Sequence, residues 1–377
     1  MAGIYLHIPF CRQACHYCDF HFSTTLKTVG RMVDALCTDI ALQTSDWTDT
    51  SFQTVYFGGG TPSVLSPEHL AQIVATLQRH FHIEEHAEWC LEANPDDLTP
   101  RSLQSWKQTG IDRLSIGIQT FDPALLAAMN RSHTSEQALH SLQVAREAGF
   151  ESFSADLIYA QPGQTEDTVR QDIATLVAQR PQHISAYCLT IEPGTALHHK
   201  VKKGQVSVPE DDVAEAHYRL LCTTLAAAGY EHYEVSNWAL PGQHSRHNSA
   251  YWRGEPYVGI GPSAHGFKGK RRYWHVSNNA RYMQALEAGT LATEEERLTE
   301  RDVCNERIMT QLRTAQGLAL DWLKVLDFLD FESDFLPLLQ KLEAQELGAL
   351  AATHFTLTEL ARFHADRIAS DLFILDA

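Results

Sequence analysis

Residues 3–20, GIYLHIPFCRQACHYCDF, decide how the rest of the chain is read. Gly3–Ile8 is a short β-rich run, and Cys11-x-x-x-Cys15-x-x-Cys18 follows it directly, so three thiols share one loop at the C-terminal edge of a strand. In parallel α/β folds that edge is where ligands bind. A [4Fe-4S] cluster normally takes four cysteine thiolates, yet the next cysteine, Cys37, falls inside a helical pattern. One iron would be left without a protein ligand, by the logic that separates an open catalytic metal site from a closed structural one. From the residues alone, a zinc ion completed by His7, His16 or His21 competes with this reading, as do plain core thiols.

Outward from the loop, short apolar runs alternate with amphipathic stretches, the pattern of βαβ units. Strands are expected at Gly3–Ile8, Thr54–Phe57, Trp89–Glu92, Arg113–Gly117, Phe153–Ile158 and His183–Tyr187. Helical patterns lie near 31–43, 67–80, 99–109, 122–129, 135–148 and 166–179. Ser66-Pro67 and Thr99-Pro100 each place a capping hydroxyl before a proline at the first helical position, and Thr165 leads its helix in the same way. Six units predict an α/β fold on a partial (β/α)6 barrel, short of the eight of a closed one. Its lateral opening would admit a large substrate.

Beyond residue 195 a helix is expected at Val208–Ala228 and a strand at Tyr230–Ser236, while Pro241–Gly269, rich in Gly, His and aromatics, reads as site-forming loop. Helical patterns at Glu300–Leu312 and Phe335–Gln345, a strand-like His354–Leu357 and a last helix from Glu359 form a small, mainly helical, winged-helix-like module. Two domains follow, 1–295 and 296–377. The module has more acidic than basic residues and its last helix offers only Arg362, His364 and Arg367, which argues for packing rather than DNA binding.

Against 30 basic residues stand 47 acidic ones, for a net charge of -17 spread along the chain. Bulk attraction to nucleic-acid phosphates or anionic lipid is disfavoured. The first residues lack a basic n-region, and no run approaches the roughly 18 apolar residues of a membrane span. A cytoplasmic chain is expected, its eight cysteines present as thiols or metal ligands. Cys37, Cys90, Cys188, Cys222 and Cys304 read as small buried apolar side chains.

Polar groups recur where apolar strands give way to loop: Gly58-Gly59-Gly60-Thr61-Pro62, Glu92, Gln119 and Asp156, with Arg131 following Gln119. Their recurrence argues for a shared cleft. The C-x3-C-x2-C spacing with Tyr17 before the third cysteine resembles the signature of radical S-adenosylmethionine (SAM) enzymes. Tyr5–Phe20, GGGTPS at 58–63, SIGIQTF at 115–121 and DLIYAQPGQT at 156–165 resemble the oxygen-independent coproporphyrinogen III oxidase family, over roughly residues 3–270, and the C-terminal module is similar too. The resemblance implies that Cys11, Cys15 and Cys18 hold a [4Fe-4S] cluster, and that Tyr5, Tyr17, Gly59, Gly60, Thr61, Glu92, Gln119, Arg131 and Asp156 contact SAM. In that family the open iron chelates the amino and carboxylate groups of SAM, and reduction yields methionine and a 5′-deoxyadenosyl radical.

The oxidase has a longer N-terminal region and a fourth cysteine two residues past the third, where this chain has Phe20. That departure matches shorter members of the family regarded as haem chaperones, and argues against decarboxylation of coproporphyrinogen. His247-Asn248-Ser249-Ala250-Tyr251-Trp252 fits the H-N-x-x-Y-W pattern of that branch. The resemblance makes His247 an axial haem ligand, with Tyr251 and Trp252 offering faces to the porphyrin; the residues alone allow a loop histidine hydrogen-bonded beside two packing aromatics. The expected function is a haem carrier serving an unidentified haem-acceptor protein, with a radical enzyme acting on a tetrapyrrole second and a structural Fe–S protein third. Whether SAM is cleaved, whether haem is attached covalently and whether the chain dimerises stay open.

Overall fold

The strand expected at Gly3–Ile8 forms over those residues as β1 in the computed structural model, which describes residues 2–375. Met1 and residues 376–377, the extremities of the two expected domains, lie outside the described residues. Strands β2 (Ser51–Gly59), β3 (His82–Ala93), β4 (Arg113–Gln119), β5 (Ser152–Tyr159) and β6 (His183–Cys188) follow, each parallel to the one before. Between them run α1 (Val29–Gln43), α2 (Pro67–His80), α3 (Pro100–Gln108), α4 (Pro123–Ala128), α5 (Ser135–Glu147) and α6 (Glu166–Gln179). The expected caps are made: the hydroxyls of Ser66, Thr99 and Thr165 accept from the amides of His69, Ser102 and Thr168. Each such cap contributes about 1 kcal/mol by satisfying an orphan helix amide.

Six strands are not the whole sheet. After α7 (Ala196–Lys202) and α8 (Asp211–Ala227), the antiparallel β7 (Glu231–Glu234) and β8 (Asn237–Ala239) extend it beyond β6. On the other side β9 (Tyr257–Ile260) joins β1 in parallel, and β10 (His265–Lys268), β11 (Arg271–His275) and β12 (Thr293–Arg297) continue outward. The order is β12-β11-β10-β9-β1-β2-β3-β4-β5-β6-β8-β7, with α9 (Arg246–Trp252) and α10 (Asn279–Glu287) among the later elements.

The stretch 241–269 is thus not loop throughout. Two of its glycines are close-approach positions, since a Cβ on Gly259 would sit 1.9 Å from the His265 carbonyl oxygen and one on Gly266 2.1 Å from the Tyr273 ring, whereas Gly242, Gly254 and Gly269 have positive φ in open space and serve turns. Sequence composition cannot separate the two uses.

Alternation along the strands sorts the side chains. Ile4, Leu6, Ile8, Val55, Phe57, Leu91, Leu114, Ile116, Phe153, Ala155, Ile184 and Ala186 are buried in the apolar layer beneath the helices. The opposite face carries Tyr5, Tyr56, Glu92, Ser115, Asp156 and His183. A closed (β/α)8 barrel fills its interior with bulky branched residues. This interior is polar, and several of its residues keep contact with water.

The chain ends in α11 (Glu300–Leu312), β13 (Leu318–Ala319), α12 (Leu336–Ala344), β14 (Gly348–Leu350), β15 (His354–Leu357) and α13 (Ala365–Asp371). The strands form a separate antiparallel sheet, β13-β15-β14, and Ile308, Leu312, Leu339, Phe355 and Ile368 belong to a second apolar core. The helix expected from Glu359 is split into a 3-10 turn, Ala361–His364, and α13. Arg362 is buried, and its Nη1 donates to the His232 carbonyl on β7, so it fastens the module to the barrel. Helix α11 meets the large sheet near both of its ends. Glu306 pairs with Arg272 on β11, and just past its end Arg313 O accepts from Val235 N and Thr314 bridges to Glu234 on β7. Among the described residues no helix is long and apolar enough to cross a membrane.

Candidate cluster and cofactor site

Main-chain bonds close the stem of the cysteine loop: Cys11 N donates to Ser23 O at 3.1 Å and Ser23 N to Pro9 O at 2.9 Å. Cys11 is buried, while Cys15 and Cys18 are half-buried. Thr61 Oγ1 donates to Cys11 Sγ at 3.3 Å. Arg131 Nη1 donates to Cys15 Sγ at 3.2 Å and to Tyr17 Oη at 3.3 Å, and its Nη2 to Asn94 Oδ1 and Gly117 O, both at 2.9 Å. Arg131 Nε is buried and has no partner among the described residues. Burial pushes the Cys11 thiol up to about 11, against the Thr61 hydrogen bond, and that of Cys18 up to about 12. Metal binding there must release protons.

The histidines that could complete a zinc site are engaged elsewhere. His7 Nε2 lies 2.8 Å from His21 O, His16 Nδ1 2.8 Å from Ala128 O, and His21 Nε2 2.7 Å from Asn279 Oδ1. Among the described residues these groups do not gather three ligand atoms within 4.8 Å of one another, as one shared ion needs.

The glycine run lets the end of β2 close over the end of β1. Gly59 has φ 101° and its Cβ would lie 2.6 Å from the His7 ring; a Cβ on Gly60 would meet the Ile8 and Phe10 carbonyl oxygens at 2.7 Å. Thr61 N then donates to Phe10 O at 2.7 Å, which sets its hydroxyl against Cys11. Gln119 ends β4 at φ 69°, its amide beside Gly117 and the Arg131 guanidinium.

Deeper in the lumen, Glu92 accepts from Tyr56 Oη at 2.8 Å, and burial raises its carboxyl to about 7. Asp156 accepts from Ser115 at 2.7 Å and Ser154 at 2.8 Å; burial raises its pKa too, against those hydrogen bonds. Tyr5 stacks on Tyr56 at 6.2 Å between ring centroids. Glu92, Asp156 and Tyr5 thus lie on the polar face of the sheet that also ends at the cysteine loop.

His247 lies at the opposite end. Its ring stacks on Tyr56 at 5.0 Å, its Nδ1 is 2.8 Å from Thr54 Oγ1, and it abuts Gly3, the first residue of β1. The six residues of β1 span about 17 Å, so the cysteines stand at the mouth and His247 at the floor. Burial lowers the His247 pKa to about 4, which keeps the imidazole neutral. Tyr251 and Trp252 share its helix but not its surface: Tyr251 is half exposed against Tyr257, and Trp252 lies under the Arg313 guanidinium at 5.1 Å.

Several lining residues escaped the sequence reading: Asn94, Thr54, Tyr56, His183 and the buried pair Arg113–Glu88, 3.7 Å apart. A signal existed. Polar residues recur on alternate positions of strands otherwise apolar, such as Glu88 and Glu92, Arg113 and Ser115, and Ser154 and Asp156.

Residues 5–176 match the Radical SAM superfamily and residues 298–364 the HemN C-terminal domain. The chain is 37% identical over 323 residues to the heme chaperone HemW of Mycobacterium tuberculosis (strain ATCC 25618 / H37Rv), covering 84% of this chain and 83% of that protein. It is 33% identical over 360 residues to the heme chaperone HemW of Lactococcus lactis, covering 96% and 92%. The structure of coproporphyrinogen III oxidase (HemN) from Escherichia coli, described as a radical SAM enzyme, aligns with a TM-score of 0.85 over 99% of this chain and 90% of that one, at 23% identity, a likeness of fold.

Proposed function

The chain belongs to the HemW family of heme chaperones within the radical SAM superfamily, and from that membership we propose that it binds haem and delivers it to an acceptor protein. In this reading Cys11, Cys15 and Cys18 hold a [4Fe-4S] cluster at the mouth, and Tyr5, Tyr17, Gly59, Gly60, Thr61, Glu92, Gln119, Arg131 and Asp156 bind SAM. Such a cluster, when reduced, supplies an electron to the sulfonium of bound SAM. The donor set fits: three thiols face one loop, and the unpartnered Nε of Arg131 is free to meet a carboxylate. Glu92 and Asp156 suit ribose hydroxyls and the positive sulfonium region. We assign the first 295 residues to these sites, residues 296–377 to a packing module, and the chain to the cytoplasm.

The observation that carries the haem reading is the His247 ring. With Nδ1 held by Thr54, Nε2 makes no hydrogen bond among the described residues. An imidazole oriented through one nitrogen presents the other as a metal ligand. The family pattern also makes Tyr251 and Trp252 faces for the macrocycle; since they turn to a different surface from His247, toward Tyr257 and Arg313, the haem reading rests on His247.

Anaerobic reconstitution followed by haem titration tests this. The wild type should acquire a Soret band, and His247→Ala should lose it while keeping the cluster absorption. Equal haem binding by the variant removes His247 as the ligand. Conversion of coproporphyrinogen III by the same sample would transfer the assignment to the oxidase reading, and failure to bind either SAM or haem would leave only a structural Fe–S protein.

A further inference from the structure

Cys222 on α8, His232 on β7 and Glu359 in the C-terminal module meet where the barrel and the module join, their Sγ, Nδ1 and carboxylate oxygen within 4.8 Å of one another. We propose that these three side chains form a site for one divalent cation of borderline softness, zinc above others, that ties the module to the barrel.

The ligand chemistry is the first support. Thiolate, imidazole and carboxylate together are a zinc donor set. Cys222 Sγ lies 3.9 Å from His232 Nδ1, which lies 3.1 Å from Glu359 Oε1. Tetrahedral zinc, with bonds of about 2.0–2.3 Å, spaces its ligand atoms roughly 3.3–3.6 Å apart, so these two spacings need shifts of a few tenths of an ångström, and the third pair already lies within 4.8 Å.

Proton counting is the second. The ring is clamped, stacked on Trp238 at 4.1 Å and 9° with Tyr218 against its edge. Its Nδ1 faces Glu359 Oε1, and its Nε2 faces Val235 O at 3.4 Å. Both nitrogens look at acceptor oxygens, and a neutral imidazole has one N–H to share. A cation on Nδ1 with the proton on Nε2 serves both, which is the arrangement that ligating histidines adopt toward backbone carbonyls.

Charge is the third. Arg362 is the cation alongside, its Nη1 donating to His232 O at 2.9 Å. With the neutral ring just counted, the group carries only the Glu359 charge, and a divalent ion held by a thiolate, that ring and the carboxylate leaves it neutral. Binding therefore places no net positive charge beside Arg362 and releases one proton, that of Cys222. The side chain of Glu359 is 39% exposed, which leaves a route in and a coordination position for water.

The experiment loads the anaerobically reconstituted chain with zinc chloride, desalts it against a weak chelator and counts zinc and iron by elemental analysis. The same count in a background with Cys11, Cys15 and Cys18 changed to Ser keeps zinc on the cluster loop out of the total, whether or not a cluster forms. One zinc per chain is expected in both. Cys222→Ala and His232→Ala should each weaken retention by more than about 100-fold, the upper end of what losing even an outer partner of a metal site costs. Cys304→Ala, at a buried cysteine outside the cluster, should keep the zinc. If the first two variants fail to fold, Glu359→Gln decides, because its exposed side chain can change without disturbing the core. Absence of retained zinc in the wild type, or equal retention in Glu359→Gln, overturns the proposal.

Discussion

At the mouth of the barrel the side chains around the cysteine loop come mostly from two short stretches, 11–18 and 59–61, whereas the floor collects Thr54, Glu88, Arg113, His183 and His247 from five separate elements. The mouth is shaped by main chain: Cys11 N to Ser23 O, Thr61 N to Phe10 O, and glycines that let one strand end cross another. The floor is shaped by side chains. Glu88 lies beside Arg113 and accepts from the amides of Arg246 and His247, while His183 bridges Ser154 and Tyr233. A site fixed by local backbone tolerates few residue types in one short stretch, so it leaves a motif. A site fixed by long-range polar pairs leaves only scattered letters.

The largest effect should come from changing Cys11, Cys15 and Cys18 together to Ser. Absorption near about 400 nm, expected of a Cys-ligated cluster, should vanish while haem binding at the floor stays at the wild-type level. Loss of both in haem titrations would show that the two ends are not independent. Next in size is Arg113→Ala. Removing one partner of a buried ion pair costs about 3–5 kcal/mol, because Glu88 would be left charged and enclosed; denaturant unfolding measures it. A loss under about 1 kcal/mol would mean that water already relieves the floor.

Arg131→Ala should weaken SAM binding by about 1.5–3 kcal/mol, the worth of a hydrogen bond to a charged group, and Asp156→Ala by a similar amount. Perturbation of the reduced cluster's electron paramagnetic resonance spectrum reports it, and unchanged spectra on adding SAM to the wild type would count against an open iron. The smallest effect is at Glu92. Its carboxyl lies at about 7 in the fold against about 4.3 unfolded, so between those values the native state keeps a proton that the unfolded chain has lost. Stability from this group falls as pH rises across that window. With lumen water screening part of the shift, Glu92→Gln should gain about 1–2 kcal/mol over the wild type at pH 8 and nothing at pH 4. Melting temperatures at the two pH values decide, and an equal difference at both would remove the strain assigned to Glu92.

The same division runs through what the sequence made legible. Gly3–Ile8, Glu166–Gln179, Glu300–Leu312 and His354–Leu357 were readable to the residue because caps and periodicity act within a few positions. The outer strands β9 to β11 were not, since they are four or five residues long and exist by pairing with partners far off in the chain. Cys222 was read as a core thiol, and its neighbours His232 and Glu359 are 10 and 137 residues away along the chain, beyond any spacing rule. Arg362, weighed as a surface base, is inside because only the fold reveals that β7 lies under it.

One feature of the C-terminal module sets a dimension. The twelve-stranded sheet has two free margins, and a barrel that never closes does not have its radius fixed by strand number and shear. Helix α11 reaches β11, next to the margin strand β12, at Glu306 and, through Arg313 and Thr314 just past its end, the margin strand β7. Those contacts are seven residues apart, about 10 Å of helical rise. The helix thereby spans β11 and β7, which the sheet itself never pairs, and its length sets the distance between those two contacts.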